Sequence, residues 1–304
     1  MAEIALEAGE ERIAKVGDLE ICFQTFGRPS DPPLLLIAGL GAQMILWEDD
    51  FCAALAERRL WVVRYDNRDV GKSSQIDWKP PAEAGAAVAE RKKGDRIAAP
   101  YLLTDMAADA VGLMDALGIA RAHFVGASMG GMIAQEAAIH WPERVRSLTS
   151  IMSTTGDPRL PPPTPEVMTV FTNPPPKTAE EYVEANVAAW LIFRGPGYPE
   201  DEKRDRARAI RAARRGFNVE GGQRQLLAVY ASGSRKKTLP GVKAPALVVH
   251  GADDPLMPLA AGEDTAASIP GAKLVVLPRM GHALPVAVWP RVIDEIAELV
   301  KRAP

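Results

Sequence analysis

The most constraining feature of this 304-residue chain is a series of continuous apolar runs that alternate with helical patterns. The runs are "LLLIAGLG", "LWVVRYD", "AHFVGAS", "VRSLTSIMS", "APALVVHG" and "AKLVVLPRM". Each is short enough for one strand, and a strand that is apolar on both faces must be covered by helices on both faces. We therefore predict an α/β fold on a mostly parallel, eight-stranded sheet flanked by helices. Its first two strands form a hairpin at Gly17 and Asp18.

The alternation stops at residue 154 and resumes near residue 241. Residues 154–178 contain eight prolines, which exclude a regular strand or helix across that stretch. Helical patterns follow in "AEEYVEANVAAWLIF", "EDEKRDRARAIRAARRGF" and "GGQRQLLAVYAS". We predict one α/β core formed by residues 1–153 and 241–304, with a helical cap of residues 154–240 inserted after the sixth strand.

Arginines cluster between Arg204 and Arg215, inside the predicted cap. They suit either recruitment of an anionic substrate or a solvated helix crossed by ion pairs. Glu202 stands four residues before Arg206, the spacing at which opposite charges meet on one helix face. This spacing favours the helix with ion pairs.

Composition and charge exclude several classes of partner. A formal net charge of −3 leaves no overall basic surface for nucleic acid or an anionic membrane. Cys22 and Cys52 are too few for a disulfide framework and lack the clustered spacing of a metal site. The acidic N-terminus has no apolar signal segment, and no run approaches the roughly 20 apolar residues of a membrane span. These features predict a cytoplasmic monomer or homodimer that acts on a small molecule.

A serine flanked by glycines stands where the fifth predicted strand meets a helix, in "HFVGASMGGM". In the pattern G-x-S-x-G, Gly126 and Gly130 let the strand and the helix approach closely. Ser128 is then held in sparsely populated backbone geometry, at a cost on the order of 1–3 kcal/mol, with its hydroxyl raised above the sheet. The pentapeptide alone is equally compatible with a glycine-rich turn in which the serine caps the helix.

A serine hydroxyl becomes a good nucleophile only when a base removes its proton, and the chain offers four histidines. His123, His140 and His250 lie in or beside predicted strands and helices, where a structural or surface role fits better. His282, in "LPRMGHALP", follows the last predicted strand in a loop between a glycine and a proline. We predict that His282 is the base.

The imidazole in turn needs a carboxylate that fixes its tautomer and stabilises its charged form. The segment "HGADDPLMP" supplies Asp253 and Asp254 at the end of a strand, although Asp-Pro is also a common start of a turn. The chain order Ser128, Asp254, His282 is the order of nucleophile, acid and base in α/β hydrolases.

Two backbone amides are predicted to bind the oxyanion that forms during acyl transfer. One belongs to Met129, at the start of a helix whose dipole favours negative charge. The other belongs to Leu40 in "LIAGLGAQMILW", where Gly39 and Gly41 permit the turn that aims its amide inward. A flexible glycine loop is the alternative interpretation of that segment.

These segments resemble the α/β-hydrolase fold enzymes over almost the whole chain. The segment "RYDNRDVGKSS" is similar to the family's D-x-R-G-x-G-x-S stretch, and its combination with "GHALP" resembles most the aclacinomycin methylesterase group of cofactor-free carboxylic ester hydrolases. The resemblance assigns the acid to Asp254, directly before the proline, with Asp253 as second choice. Ala38 replaces the histidine of the family's His-Gly motif, which leaves the conformation of the oxyanion loop open. Asp69 stands where the family often has glycine, and we expect little effect from it.

The resemblance and the residues together predict a carboxylesterase for small to medium esters, including methyl esters, which forms an acyl-enzyme and needs no metal or organic cofactor. A carbon–carbon bond hydrolase or a cofactor-free perhydrolase with the same residues is an alternative, as is a ligand receptor that turns over slowly. Candidate substrate-binding residues in the cap are Trp190, Phe193, Phe171 and Tyr230. For most cap aromatics a position in the core of the cap fits better, because its helices must bury one face.

Overall fold

The computed structural model describes residues 9–81, 84, 97–198 and 201–303. Within them, eight strands form one sheet in the order β1-β2-β4-β3-β5-β6-β7-β8. The strands are β1 (Arg12–Val16), β2 (Leu19–Phe26), β3 (Pro33–Ile37), β4 (Trp61–Tyr65), β5 (Ala122–Ala127), β6 (Val145–Ile151), β7 (Ala246–Gly251) and β8 (Lys273–Leu277). The predicted hairpin of β1 and β2 is present, and β2 pairs with β4 in antiparallel fashion. All other pairs are parallel, so the predicted sheet is confirmed.

Helices cover both faces of this sheet. The described helices are α1 (Asp49–Glu57), α2 (Leu103–Ala116), α3 (Met129–His140), α4 (Pro165–Thr172), α5 (Ala179–Phe193), α6 (Glu202–Arg215), α7 (Val219–Ser232), α8 (Leu259–Ser268) and α9 (Trp289–Arg302). None of the helices in the described ranges is long and apolar enough to cross a membrane.

Strand β3 shows why the apolar runs are continuous. Leu34 and Leu36 pack with α1 and α9, whereas Leu35 and Ile37 pack with α2 and α3, because side chains alternate between the faces of a strand. All four side chains are fully buried. Burying each contributes about 1.5–3 kcal/mol, so both faces of the sheet stabilise the fold.

Four of the described helices, α4 to α7, lie between β6 and β7, and we refer to them as the inserted helices. Helix α4 corrects the expectation that the prolines of residues 154–178 exclude a helix. Pro165 occupies its first turn, where a missing N–H loses no helical hydrogen bond, and the Thr164 hydroxyl caps it by accepting from the Val167 amide at 3.3 Å. No proline follows within the helix, which therefore continues to Thr172.

A buried ion pair attaches α7 to the core. Arg224 donates to both carboxylate oxygens of Asp69, at 3.0 and 2.8 Å, and the Tyr101 hydroxyl donates to the same carboxylate at 2.6 Å. Gly221 permits the close approach, since a Cβ there would lie 2.1 Å from the Asp69 carbonyl oxygen. The expectation that Asp69 has little effect was wrong, because removing one partner of a buried pair typically costs about 3–5 kcal/mol.

Helix α6 carries the ion pairs that its charge pattern predicted, including Arg206 with Glu202 at 3.1 Å. It is also joined to the core through Arg215, whose guanidinium lies 2.8 Å from both Asp66 and Glu11. The Asp66 side chain is fully buried and that of Arg215 is nearly so. The arginine cluster therefore holds α6 against the sheet.

Acid is expected to weaken this attachment. Burial alone would raise the pKa of Glu11, but the hydrogen bonds and charges of Arg215 and Lys72 outweigh it and lower the pKa from 4.5 to about 2. Because the folded pKa lies below the unfolded one, Glu11 stabilises the fold above about pH 4.5 and loses this effect as the pH falls toward 2. Replacing Glu11 with glutamine is therefore expected to lower the free energy of unfolding near neutral pH and to flatten its dependence on pH across that window.

Urea unfolding at a series of pH values measures this change. Glu10→Gln is the matched control, since Glu10 is an exposed neighbour, and it should leave the dependence as in the wild type. Identical pH dependence in the Glu11→Gln variant and the wild type would contradict the prediction.

Candidate active site

Ser128 lies on the sharp turn between β5 and α3, at the carboxyl edge of the sheet. Its φ of 55° and ψ of −120° place a non-glycine residue in the left-handed half of backbone space. A Cβ on Gly126 would lie 2.0 Å from the Gly130 carbonyl oxygen, and one on Gly130 would lie 2.1 Å from the Ile37 carbonyl oxygen. Only glycine at both positions allows this approach of strand and helix, and the turn presents the half-buried Ser128 at the sheet edge.

His282 follows β8 and reaches Ser128 across the sheet edge. Its Nε2 lies 3.0 Å from Ser128 Oγ, and its Nδ1 lies 2.8 Å from Asp254 Oδ2. The His282 amide donates to the carbonyl of Phe193, and the Gly281 amide donates to that of Arg194. The end of α5 therefore holds the loop that carries the imidazole.

Asp254 is buried at the end of β7, and its two oxygens have different partners. Oδ1 accepts from the amides of Leu256 and Met257, at 2.9 and 2.8 Å, which leaves Oδ2 directed at His282. Asp253, the second choice from the sequence, is exposed. The structure brings Ser128, His282 and Asp254 together at one edge of the sheet.

His250 lies beneath this acid, in β7. Its Nε2 lies 2.7 Å from the Met257 carbonyl oxygen and must therefore carry the proton, while Nδ1 is buried without a hydrogen-bond partner among the described residues. Burial lowers the pKa of His250, which favours the neutral imidazole. This histidine supports the turn of residues 254–257 and has the structural role that its position in a strand predicted.

The two predicted oxyanion donors belong to Met129, which follows Ser128, and to Leu40, which follows a glycine that approaches Ser128. Met129 begins α3, so its amide has no carbonyl partner within the helix. Gly39 faces Ser128, since a Cβ on it would lie 3.3 Å from Ser128 Cβ, and Leu40 is the next residue. The carbonyl oxygen of Ala38 accepts from the Asn67 side chain at 3.1 Å, which gives the loop a fixed start although Ala38 replaces the histidine of the family that the sequence resembles.

Residues that sequence patterns did not identify support this loop. Gln225 of α7 accepts a hydrogen bond from the Gly41 amide at 2.7 Å. Gln43 donates to the carbonyl oxygens of Ala212 and Gly216 at the end of α6, at 2.9 and 2.8 Å. No local pattern signals these contacts, because each joins the loop to a helix more than 160 residues further along the chain.

A cavity of about 250 Å³ lies between the inserted helices and the core. Its lining includes Ala127 and Ala283, the residues next to Ser128 and His282, and most of the lining is apolar. Trp190, one of the predicted substrate-binding residues, forms part of its wall. The cavity therefore lies beside the chain segments that carry Ser128 and His282, although neither of these two side chains is among the described residues that line it, and it offers space for a bulky apolar group.

The other predicted cap residues occupy different positions. The Phe193 ring packs edge-on against the His282 ring, with 5.8 Å between the ring centroids. Phe171 packs on Phe193 at 6.4 Å. Tyr230 packs in a separate apolar cluster that includes Leu227, and it is not part of the cavity lining.

The sheet, the sharp turn after β5 and the positions of the polar residues define the class of protein. The model of the alpha/beta hydrolase fold family matches residues 32–286, and the chain belongs to this family. The fold expected from the sequence is thus confirmed.

Two curated relatives and one solved structure are similar to this chain over most of its length. Rhodomycin D methylesterase DnrP of Streptomyces peucetius is 32% identical over 281 residues, which cover 86% of this chain and 88% of the relative. Rhodomycin D methylesterase DauP of Streptomyces sp. strain C5 is 30% identical over 296 residues, 91% of this chain and 93% of the relative. A hydrolase from Pseudomonas aeruginosa PA01 superimposes with a TM-score of 0.72 at 25% identity, covering 96% of this chain and 98% of that one. The predicted likeness to the methylesterase group is confirmed, and the protein is an esterase-type hydrolase.

Proposed function

We propose that this protein is a serine hydrolase that cleaves carboxylic esters through Ser128, His282 and Asp254. The observation that carries the proposal is the continuous chain of hydrogen bonds from Asp254 through His282 to Ser128, which ends on a serine in strained backbone geometry. A glycine-rich turn with a serine cap needs neither the strain nor the histidine. Moreover, the Ser128 side chain caps no amide of α3.

The geometry supports a two-step acyl transfer. Because Asp254 is an acceptor, it holds the His282 tautomer with the proton on Nδ1, which leaves Nε2 free to take the Ser128 proton. The serine oxygen then attacks the ester carbonyl, and the oxyanion accepts hydrogen bonds from the amides of Leu40 and Met129. His282 returns the proton to the departing alcohol. Water next attacks the acyl-enzyme, again with His282 as the base, and releases the acid and free Ser128.

The cavity supports a substrate with one bulky, largely apolar part. Its walls include the aromatic side chains of Trp47, Trp190 and Trp289. Charged residues also line the cavity, but arginines form ion pairs with acids there, for example Arg204 with Glu48. These pairs give no reason to expect a charged substrate. The relatives named as methylesterases favour a small alcohol as the leaving group. We propose alkyl esters of a bulky aromatic acid as the substrate class.

The direct test is turnover by the wild-type protein. We expect hydrolysis of methyl and p-nitrophenyl esters, with a preference for a bulky aromatic acyl group over acetate, and stoichiometric labelling of Ser128 by a fluorophosphonate, mapped by mass spectrometry. Vinylogous diketones, and peroxide with acetate, test the two alternative reactions of the same residues. Faster turnover of either alternative substrate, or tight ligand binding without ester hydrolysis, would contradict the proposal.

A further inference from the structure

Residues 39–43 form the loop that we propose binds the oxyanion, and we call it the oxyanion loop. Helix α7 contacts this loop. We propose that Gln225 is a positioning residue for this loop and that the inserted helices thereby complete the oxyanion hole. The inference rests on the proposed function, because it concerns the same ester hydrolysis. It assigns to the inserted helices a role in stabilising the transition state, besides covering the site.

The loop is a tight turn whose conformation has one weak point. The Gly39 carbonyl oxygen accepts from the Ala42 amide at 3.2 Å, and Gly41 has a φ of 67°, as the third residue of a type II turn requires. Leu40, the proposed donor, is the second residue of this turn. The turn's own hydrogen bond holds the peptide between Gly39 and Leu40, which carries the proposed donor, but not the following peptide between Leu40 and Gly41. A partner for the Gly41 amide therefore stabilises this turn type and, through it, the position of the donor peptide.

Gln225 is that partner. Its side chain is fully buried, with Oε1 accepting from the Gly41 amide at 2.7 Å and Nε2 donating to the Arg68 carbonyl at 2.8 Å. Because both the oxygen and the nitrogen of the Gln225 side-chain amide form hydrogen bonds, this side chain cannot rotate away from Gly41 without also losing its bond to Arg68.

A second contact holds the far end of the loop. Gln43 is buried, and its side chain bonds to the last turn of α6 and to Arg215 of the same helix, at 2.6 Å for the latter. The core holds the same end, because the amide of Met44 donates to Asp66 at 2.7 Å. The turn that carries Leu40 therefore lies between one contact to α7 and one to α6.

The test compares Gln225→Met with Ser232→Ala. Methionine has a similar volume but forms neither hydrogen bond. Ser232 is the matched control on the same helix, since its hydroxyl oxygen likewise accepts from a core amide, that of Leu103 at 2.8 Å, but outside the oxyanion loop. Losing one oxyanion donor typically lowers kcat by 10²–10³, and loosening one is expected to lower it by about 10- to 100-fold.

For Gln225→Met we expect this loss in kcat with little change in KM, and an equal loss in affinity for a trifluoromethyl ketone, which binds as the tetrahedral oxyanion. Ser232→Ala is expected to lower Tm while leaving kcat within about twofold of the wild type. A purely structural role for Gln225 would lower Tm in both variants without the loss in kcat or in ketone affinity, and would overturn the inference while wild-type ester hydrolysis stands. If Gln225→Met does not fold, Gln43→Met carries the same expectations, and its retention of wild-type kcat would equally overturn the inference.

Discussion

Replacing Ser128 with alanine is expected to lower kcat for ester hydrolysis by about 10⁵- to 10⁶-fold. Removal of an activated serine nucleophile has effects of this size, because the remaining groups no longer act as a unit. The residual rate should still exceed that in water, since the oxyanion donors and the binding site are unchanged. Initial rates on the best ester of the wild-type panel measure the effect.

The same variant separates loss of chemistry from loss of the fold. Ser128 has no side-chain cap bond to α3, so alanine removes no helix cap and the thermal unfolding midpoint is expected to stay close to that of the wild type. Binding of the intact ester to Ser128→Ala should persist, and fluorophosphonate labelling should disappear. Retention of more than a few per cent of wild-type turnover would refute Ser128 as the nucleophile.

The second large effect is expected at Asp254, where asparagine should lower kcat by about 10⁴-fold. Asp254 Oδ2 lies 2.8 Å from His282 Nδ1 and accepts a hydrogen bond from it, whereas an asparagine amide can donate there instead. Donation to Nδ1 would stabilise the tautomer with the proton on Nε2, and that tautomer cannot deprotonate Ser128. The three side chains would keep their positions, but His282 could no longer act as the base.

Asp253→Asn is the matched control, one residue away and with the same change in charge. Asp253 is exposed and Asp254 is buried, so we expect the control to keep kcat within about twofold of the wild type. Comparing the two variants on one ester, at one pH and ionic strength, distinguishes them. Equal losses would show that charge near the site matters more than the His282 tautomer, and a larger loss at Asp253 would reverse the assignment.

Much of this architecture could be predicted from local patterns. Leu34 to Ile37 had to be apolar without interruption because both faces of β3 are covered, and that requirement is visible in four consecutive letters. Gly126 and Gly130 are likewise visible, since no other residue fits at Gly126 between β5 and α3 or at Gly130 between α3 and the end of β3. The chain order of Ser128, Asp254 and His282 then allowed three distant side chains to be placed at one sheet edge before any distance was known.

Other features depended on pairings that no local pattern carries. Asp69 looked like a harmless replacement for glycine, yet it bonds to Arg224, 155 residues further on. The prolines of residues 154–178 conceal helix α4, because Pro165 occupies its first turn, where proline is tolerated, and no pattern distinguishes it from the helix-breaking prolines around it. Residue type suggests a pocket position for Tyr230, whereas the packing of α7 places it in another cluster.

By itself, the sequence determined the sheet, the sharp turn at Ser128 and the placement of His282 and Asp254 after strand ends, because periodicity, glycine geometry and strand ends are local properties of the chain. Only the tertiary structure decided what holds these parts in position. Asp66 meets Arg215 across 149 residues and Gly41 meets Gln225 across 184. Such contacts form only when the inserted helices fold back onto the core, and their specificity lies in buried hydrogen bonds whose partners are set by packing, not by spacing along the chain.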